Sequence, residues 1–116
     1  MRTEKEIARF LFDFNFPTRL NGYHYFKECL VYIFDGNILP MNKELFLTLA
    51  DKFSTDEDNI ERCMQTLVDK MWLPMQNVGI FSCKPSIREF IMKCVEYIKY
   101  DSTRQRSAYD ILFRRG

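Results

Sequence analysis

The feature that most constrains this chain is an unbroken stripe of apolar side chains in its middle. They recur at i, i+3, i+4, i+7, i+8 and i+11, which places them on one face of an α-helix. The residues are Ile60, Cys63, Met64, Leu67, Val68 and Met71. This spacing predicts a long amphipathic helix with one face packed against the rest of the chain.

A shorter amphipathic helix is predicted directly before it, from Lys43 to Phe53. Ser54 or Thr55 is the expected N-cap of the second helix, with Glu57 or Asp58 three residues later to complete a capping box. A short helix, a capped turn and a longer second helix are typical of a helix-turn-helix that reads DNA. An ordinary helical hairpin is the alternative, because periodicity predicts packing and does not identify a ligand.

Further helices are expected on both sides of this pair, so the predicted fold is all-α with about five helices. Residues Tyr23 to Phe34 are apolar on nearly every side, which is typical of a central, buried helix. Ser86 and Glu89 form a capping box that begins the last helix. Leu73-Pro74 is expected to end the helix before it, and Val78 to Cys83 reads as a loop or a single strand-like segment.

The length of 116 residues predicts one domain, covering residues 1–100, followed by a polar, arginine-bearing tail at 101–116. A formal net charge of +1 gives no overall attraction to nucleic acid or to an anionic membrane. No apolar run approaches the roughly 20 residues that span a bilayer. The four cysteines lack a C-x-x-C pair and are expected to be free thiols, so we expect a cytoplasmic protein.

The motifs of common enzyme classes are missing from the sequence. It has no glycine-rich phosphate loop, no metal-ligand spacing and no nucleophile elbow. His24, the single histidine, is expected on the exposed edge of a core helix. The run Asp56-Glu57-Asp58 lacks the glycine of a calcium loop, and acids in a first helical turn are explained by the helix dipole. We therefore expect no enzyme activity, no metal and no cofactor.

A set of short motifs, taken in order and spacing, resembles the C-terminal DNA-binding effector domain of the sporulation stage-zero response regulator of spore-forming bacteria. The resemblance covers roughly Ile7 to Tyr100. The motifs are Pro17, Gly22-Tyr23-x-Tyr25, Glu28, Ala50-x-Lys52-Phe53-x-Thr55, Glu61-Arg62, Trp72, Lys84-Pro85 and Glu89-Phe90-Ile91.

This resemblance implies an all-helical fold in which the second helix of the pair lies in the major groove, with dimers on tandem DNA boxes. The reading helix would be Asp56 to Met71, supported by Lys43 to Phe53. Asn and Gln suit adenine and Arg suits guanine, so the expected base contacts are on this helix. They are Asn59, Arg62, Gln65 and Thr66. The expected contacts to the DNA backbone are Lys43, Lys52, Thr55, Lys84 and Arg88.

The sequence departs from the family pattern in three ways. It begins at Met1 without the receiver domain that precedes the family domain, so the resemblance does not imply control by aspartyl phosphorylation. The segment between Trp72 and Lys84 is shorter, which predicts the loss of a helix. From Asp56 to Lys70 there are five acidic residues against two basic ones, a net charge of −3.

That acidic charge keeps a second hypothesis open, because neutralising phosphates supplies most non-specific affinity for DNA. In the first hypothesis the chain is a sequence-specific DNA-binding regulator, bound to double-stranded DNA as a possible homodimer. In the second, the fold has lost DNA binding and the acidic helix binds a protein partner. Helix-turn-helix domains can place phosphate contacts on other elements, which favours DNA binding.

Overall fold

The computed structural model describes residues 2–36, 43–77 and 79–99. These residues form helices and loops without a strand, which confirms the predicted all-α class. The predicted tail at 101–116 and the Lys43 side chain lie outside the described residues. The helices are α1 (Arg2–Asp13), α2 (Asn21–Phe34), α3 (Lys43–Lys52), α4 (Glu57–Gln76) and α5 (87–99).

The predicted apolar stripe of α4 forms the centre of the core. Ile60, Met64, Leu67, Val68 and Met71 are all buried, while Cys63 at the edge of the stripe is half-buried. α4 packs against both α2 and α3, and α2 also contacts α1. The predicted helix-turn-helix pair therefore corresponds to α3 and α4, and the predicted central helix is α2.

A cluster of phenylalanine rings attaches α5 and the loop before it to this core. Phe16 stacks on Phe26 with ring centroids 5.5 Å apart, and Phe81 stacks on Phe90 at 5.5 Å. Phe26 and Phe90 join the two stacks at 5.3 Å. Because Phe81 lies in the loop that leads to α5, these rings also fix where that loop runs.

The predicted capping box at the start of α5 is confirmed. The Ser86 backbone N–H donates to Glu89 Oε1 at 3.1 Å, and the Glu89 backbone N–H donates to Ser86 Oγ at 3.1 Å. The apolar face that follows is buried, apart from a half-buried Ile87. It comprises Phe90, Ile91, Cys94, Val95 and Ile98.

The predicted N-cap of α4 was wrong by one or two residues. Ser54 has a φ of +54° and ends α3, with its N–H bonded to the Asp51 carbonyl and the Thr55 N–H bonded to Ala50. This pair of hydrogen bonds is the Schellman motif of a helix C-terminus. The N-cap is Asp56, whose carboxylate accepts the Asn59 backbone N–H at 2.8 Å, so the helix begins at Glu57.

The predicted end of α4 was also wrong, because the helix continues through Pro74 to Gln76. Proline removes only its own backbone donor, the one that would bond to the Lys70 carbonyl, so the helix loses one hydrogen bond and still continues to Gln76. The extra turn buries Met75 completely. Beyond Gln76 the chain turns at Gly79, which has a φ of +81°, and the Ile80 N–H bonds to the Met75 carbonyl at 3.3 Å. Residues 79–86 are loop, without a strand or a helix.

Gly22 allows α2 to touch the backbone of α4. A Cβ at this position would lie 2.3 Å from the Cys63 carbonyl oxygen and 3.3 Å from Leu67 Cβ. Backbone atoms cannot move aside as a flexible side chain can. The residue type at position 22 therefore sets how closely the two helices approach.

We predict that Gly22→Ala destabilises the domain by about 1–3 kcal/mol through overpacking. Alanine is the better helix former by about 1 kcal/mol, so helix propensity alone predicts the opposite sign. Urea unfolding measures the difference. His24→Ala, on the exposed side of the same helix, is the control and should change stability by less than about 0.5 kcal/mol. A Gly22→Ala variant as stable as the wild type would contradict the close approach.

Two leucines on α4 test which face is core. Leu67 is 1% exposed and Leu73 is 55% exposed. Leu67→Ala should lower the free energy of unfolding by about 2–5 kcal/mol because it leaves a cavity. Leu73→Ala removes the same atoms from the solvent side and should cost less than about 0.5 kcal/mol. Equal losses in the two variants would mean that the helix is rotated from the orientation described above.

Candidate nucleic-acid interface

The exposed side of α4 gathers polar residues that helical spacing places along one line. We call this the α4 outer face, and it ends in an exposed leucine. Arg62 and Thr66 are exposed and Gln65 is half-buried, while Asn59 lies half-buried at the edge. The structure thus brings all four predicted base-contact residues to one side of one helix. The α4 outer face comprises Asp58, Arg62, Gln65, Thr66, Asp69 and Leu73.

Asn59 is hydrogen-bonded at both ends of its amide. Its Nδ2 donates to Thr55 Oγ1 at 2.9 Å and to the Tyr25 hydroxyl at 3.3 Å. Its Oδ1 accepts from Arg62 Nη2 at 2.9 Å, and the Cys63 thiol lies 3.7 Å from the same oxygen. The side chain therefore joins the α3–α4 turn and α2 to the outer face.

Asp69 organises the other end of the face. Its Oδ1 accepts from Gln65 Nε2 at 3.0 Å and from Lys84 Nζ at 2.6 Å. The hydrogen bond from Lys84, followed by that from Gln65, lowers the pKa of the Asp69 carboxyl. Thr66 Oγ1 donates to the Arg62 backbone carbonyl at 3.1 Å, so this hydroxyl is held against its own helix.

The predicted DNA-backbone contacts fall in different places. Lys84 reaches α4 from the loop before α5, and Arg88 is exposed in the first turn of α5. Thr55 lies in the turn and accepts from Asn59. Lys52 instead faces α2, with Nζ 2.6 Å from Glu28 Oε2 and 5.9 Å from the centre of the Tyr32 ring. The hydrogen bond to Glu28 raises the pKa of Lys52.

The structure shows where the acidic residues of α4 lie and which of them are paired. Three of the five acids, Asp56, Glu57 and Asp58, lie at or just after the helix N-terminus, where the dipole favours negative charge. Asp69 is paired with Lys84, which a charge count along the helix alone leaves out. The fifth acid, Glu61, is exposed directly before Arg62, so the middle of the α4 outer face carries Arg62 and neutral side chains with one acid beside them.

The family model for the sporulation initiation factor Spo0A C terminal matches residues 7–98. The chain belongs to this family. The match extends from α1 into α5 and includes the whole of α3 and α4. The Spo0A C-terminal family is the DNA-binding effector domain of the sporulation regulator, which supports DNA-binding transcription regulation and confirms the resemblance seen in the sequence. It is not an enzyme family.

Sequence reasoning on this Spo0A-type domain missed two residues that organise the outer face, Tyr25 and Asp69. The spacing of Gln65 and Asp69 at i and i+4 was a usable signal, because such residues are neighbours on a helix. The contact from Tyr25 had no comparable signal, since it joins residues 34 positions apart.

His24 lies away from the α4 outer face, and two of the four cysteines lie inside the core. His24 is exposed on α2, edge-on to the Tyr23 ring at 5.2 Å. Cys29 and Cys94 are buried, and burial raises the pKa of each thiol. Within the described ranges, no three His, Cys, Asp or Glu side chains are grouped to hold a metal ion. None of the described helices is long and apolar enough to cross a membrane.

The pair of Lys84 and Asp69 leads to a prediction about pKa. A carboxyl whose pKa is lowered in the folded state keeps its partner at neutral pH and loses it as pH falls through that lowered value. Lys84→Ala should therefore raise the Asp69 pKa toward its ordinary value, measured by NMR titration of the side-chain carboxyl. Arg88→Ala removes a positive charge four residues further along the chain and should leave the Asp69 pKa lowered. An Asp69 pKa that is the same in wild type and Lys84→Ala would rule out the pairing.

Proposed function

We propose that this domain is a sequence-specific DNA-binding transcription regulator that acts in the cytoplasm and inserts α4 into the major groove. The observation that carries the proposal is the position of Arg62, Gln65 and Thr66 on one exposed side of a 20-residue helix. The other side of that helix is the core. The major groove, about 12 Å wide, admits an α-helix, and membership of a DNA-binding family supports this use.

The residues that we propose to contact bases differ in the bases that they suit. The Arg62 guanidinium can donate two hydrogen bonds to guanine O6 and N7, and the Gln65 amide can pair with adenine N6 and N7. Thr66 offers a hydroxyl and a methyl group one turn after Arg62. The base contact predicted for Asn59 stays a prediction.

Phosphate contacts are proposed from the elements that flank α4. Lys84 and Arg88 are the best supported, because Lys84 already lies against α4 and Arg88 is exposed four residues later. Thr55 and the N-terminal end of α3 at Lys43 complete the set on the other flank. Lys52 joins it only by leaving Glu28. We also propose a homodimer on tandem DNA boxes, which the family resemblance supports.

A second candidate function rests on the ends of the same face. Leu73 is 55% exposed at one end, and Asp58 and Glu61 leave the first turns acidic. An acidic first turn and an exposed leucine at the far end suit a protein partner that lies along α4, with basic groups at one end and an apolar pocket at the other. In this candidate function the domain binds a protein through α4 and no longer binds DNA.

Salt dependence separates the two functions. Fluorescence anisotropy with random-sequence duplex should show binding at low salt, with log K falling linearly against log salt as counterions are released. The same measurement with an acidic peptide of equal charge is the control for a general attraction to polyanions. A domain that does not bind duplex DNA at low salt would refute the proposed DNA binding and support binding of a protein partner through α4.

A matched arginine pair tests the proposed reader. On a duplex selected from a random library by the wild type, Arg62→Ala should weaken binding by about 1–3 kcal/mol and relax the preference at one base pair. Arg9→Ala is the control, because Arg9 is exposed on α1, whose Cα atoms all lie more than 8 Å from those of α4. It should change binding by less than about 0.5 kcal/mol. Equal losses in the two variants would mean that arginines contribute only overall charge.

A further inference from the structure

We infer that Asn59 is a positioning residue that holds the Arg62 guanidinium in place for base contact. This inference rests on the proposed function, since Arg62, the side chain that Asn59 orients, is one of the residues proposed to contact bases. It starts from one contact, in which Arg62 Nη2 donates to Asn59 Oδ1 at 2.9 Å.

The hydrogen-bonding capacity of Asn59 is already used inside the protein. An asparagine amide has two N–H donors and one carbonyl oxygen. The two donors are given to Thr55 Oγ1 and the Tyr25 hydroxyl, and the oxygen accepts from Arg62 and from the Cys63 thiol. A contact from Asn59 to a base edge would break at least one of these bonds.

The far end of this chain of contacts is fixed in the core. Tyr25 is only 7% exposed, and its ring packs edge-on against Phe53 with centroids 4.9 Å apart. Thr55 is half-buried and its backbone N–H is bonded to the Ala50 carbonyl. Asn59 is therefore held by hydrogen bonds to α2 and to the α3–α4 turn. Its fixed Oδ1 in turn restricts the position of the Arg62 guanidinium.

Arg62 has the geometry that gains from such a contact. A guanidinium carries five N–H donors in a rigid plane, so a bond to Asn59 uses one and leaves four for guanine or phosphate. Arginine has many rotamers, and a side chain fixed beforehand loses less freedom on binding. With Asn59 in place, the guanidinium points outward in a restricted set of orientations before DNA arrives.

The first test needs no DNA. In ¹⁵N NMR at low temperature, a hydrogen-bonded guanidinium rotates slowly and gives separate Nη signals. The Arg62 signals should be separate in the wild type and should merge in Asn59→Ala. Thr66→Ala is the control, because it removes a hydrogen bond to the Arg62 carbonyl and leaves the guanidinium contact intact. Arg62 signals that are the same in wild type and Asn59→Ala would overturn the inference.

The second test is a double-mutant cycle on the duplex selected by the wild type. Asn59→Ala and Arg62→Ala should each lower affinity, by roughly tenfold if Arg62 makes one good base contact. The double variant should bind no more weakly than Arg62→Ala alone, because Asn59 acts through Arg62. Losses that multiply would show that Asn59 contacts DNA by itself, and would overturn the inference.

Tyr25→Phe tests the same inference if Asn59→Ala does not fold. It removes only the hydroxyl that accepts from Asn59 and keeps the buried ring. It should weaken DNA binding in the wild-type background and have no effect in the Arg62→Ala background, and an equal effect in both would overturn the inference.

Failure of the proposed function gives a different result. A wild type that binds no duplex would refute DNA binding, while the NMR comparison would still decide whether Asn59 orients Arg62.

Discussion

The close approach of α2 to α4 at Gly22 is the constraint on which the rest of the structure depends. With no side chain at this position, α2 lies directly against the Cys63 carbonyl, where a Cβ would be 2.3 Å away. One turn further along α2, Tyr25 is brought within hydrogen-bonding distance of Asn59. The same contact turns the apolar stripe of α4 inward against α2 and leaves Arg62 and Thr66 in solvent. The backbone packing of two helices thereby determines which side chains of α4 a ligand can meet.

The polar side chains of the α4 outer face are held from both ends by residues outside the helix. At one end, Asn59 lies at the edge of the face and is hydrogen-bonded to Tyr25 of α2 and to Thr55 of the turn. At the other end, Gln65 donates to Asp69, which is paired with Lys84. Lys84 lies in a loop that Phe81 anchors to the core by stacking on Phe90. Groups fixed in this way lose less conformational freedom on binding. Pairing Asp69 with Lys84 also removes one uncompensated negative charge from the face, which makes an acidic helix more compatible with a phosphate backbone.

The sequence predicted what depends on local spacing and missed what depends on distant partners. The buried stripe from Ile60 to Met71, the central α2 and the Ser86 capping box were all read correctly. The N-cap was misplaced because Ser54 serves the end of α3, a choice that rests on a left-handed φ and not on residue type. The helix passed Pro74 because Met75 gains burial beyond it. The contacts of Tyr25 with Asn59 and of Lys84 with Asp69 join residues far apart in sequence, so no short sequence motif predicts them.

The most direct test of the central claim is to map the amides that shift in ¹H–¹⁵N NMR spectra when duplex DNA is added. If α4 enters the major groove, the largest shifts should fall between Asp58 and Leu73 and at the start of α5 around Lys84 and Arg88. Amides of α1 should stay unchanged, because the Cα atoms of α1 all lie more than 8 Å from those of α4. Shifts concentrated on α1, or spread evenly over the surface without a maximum on α4, would contradict this account of how the domain binds DNA.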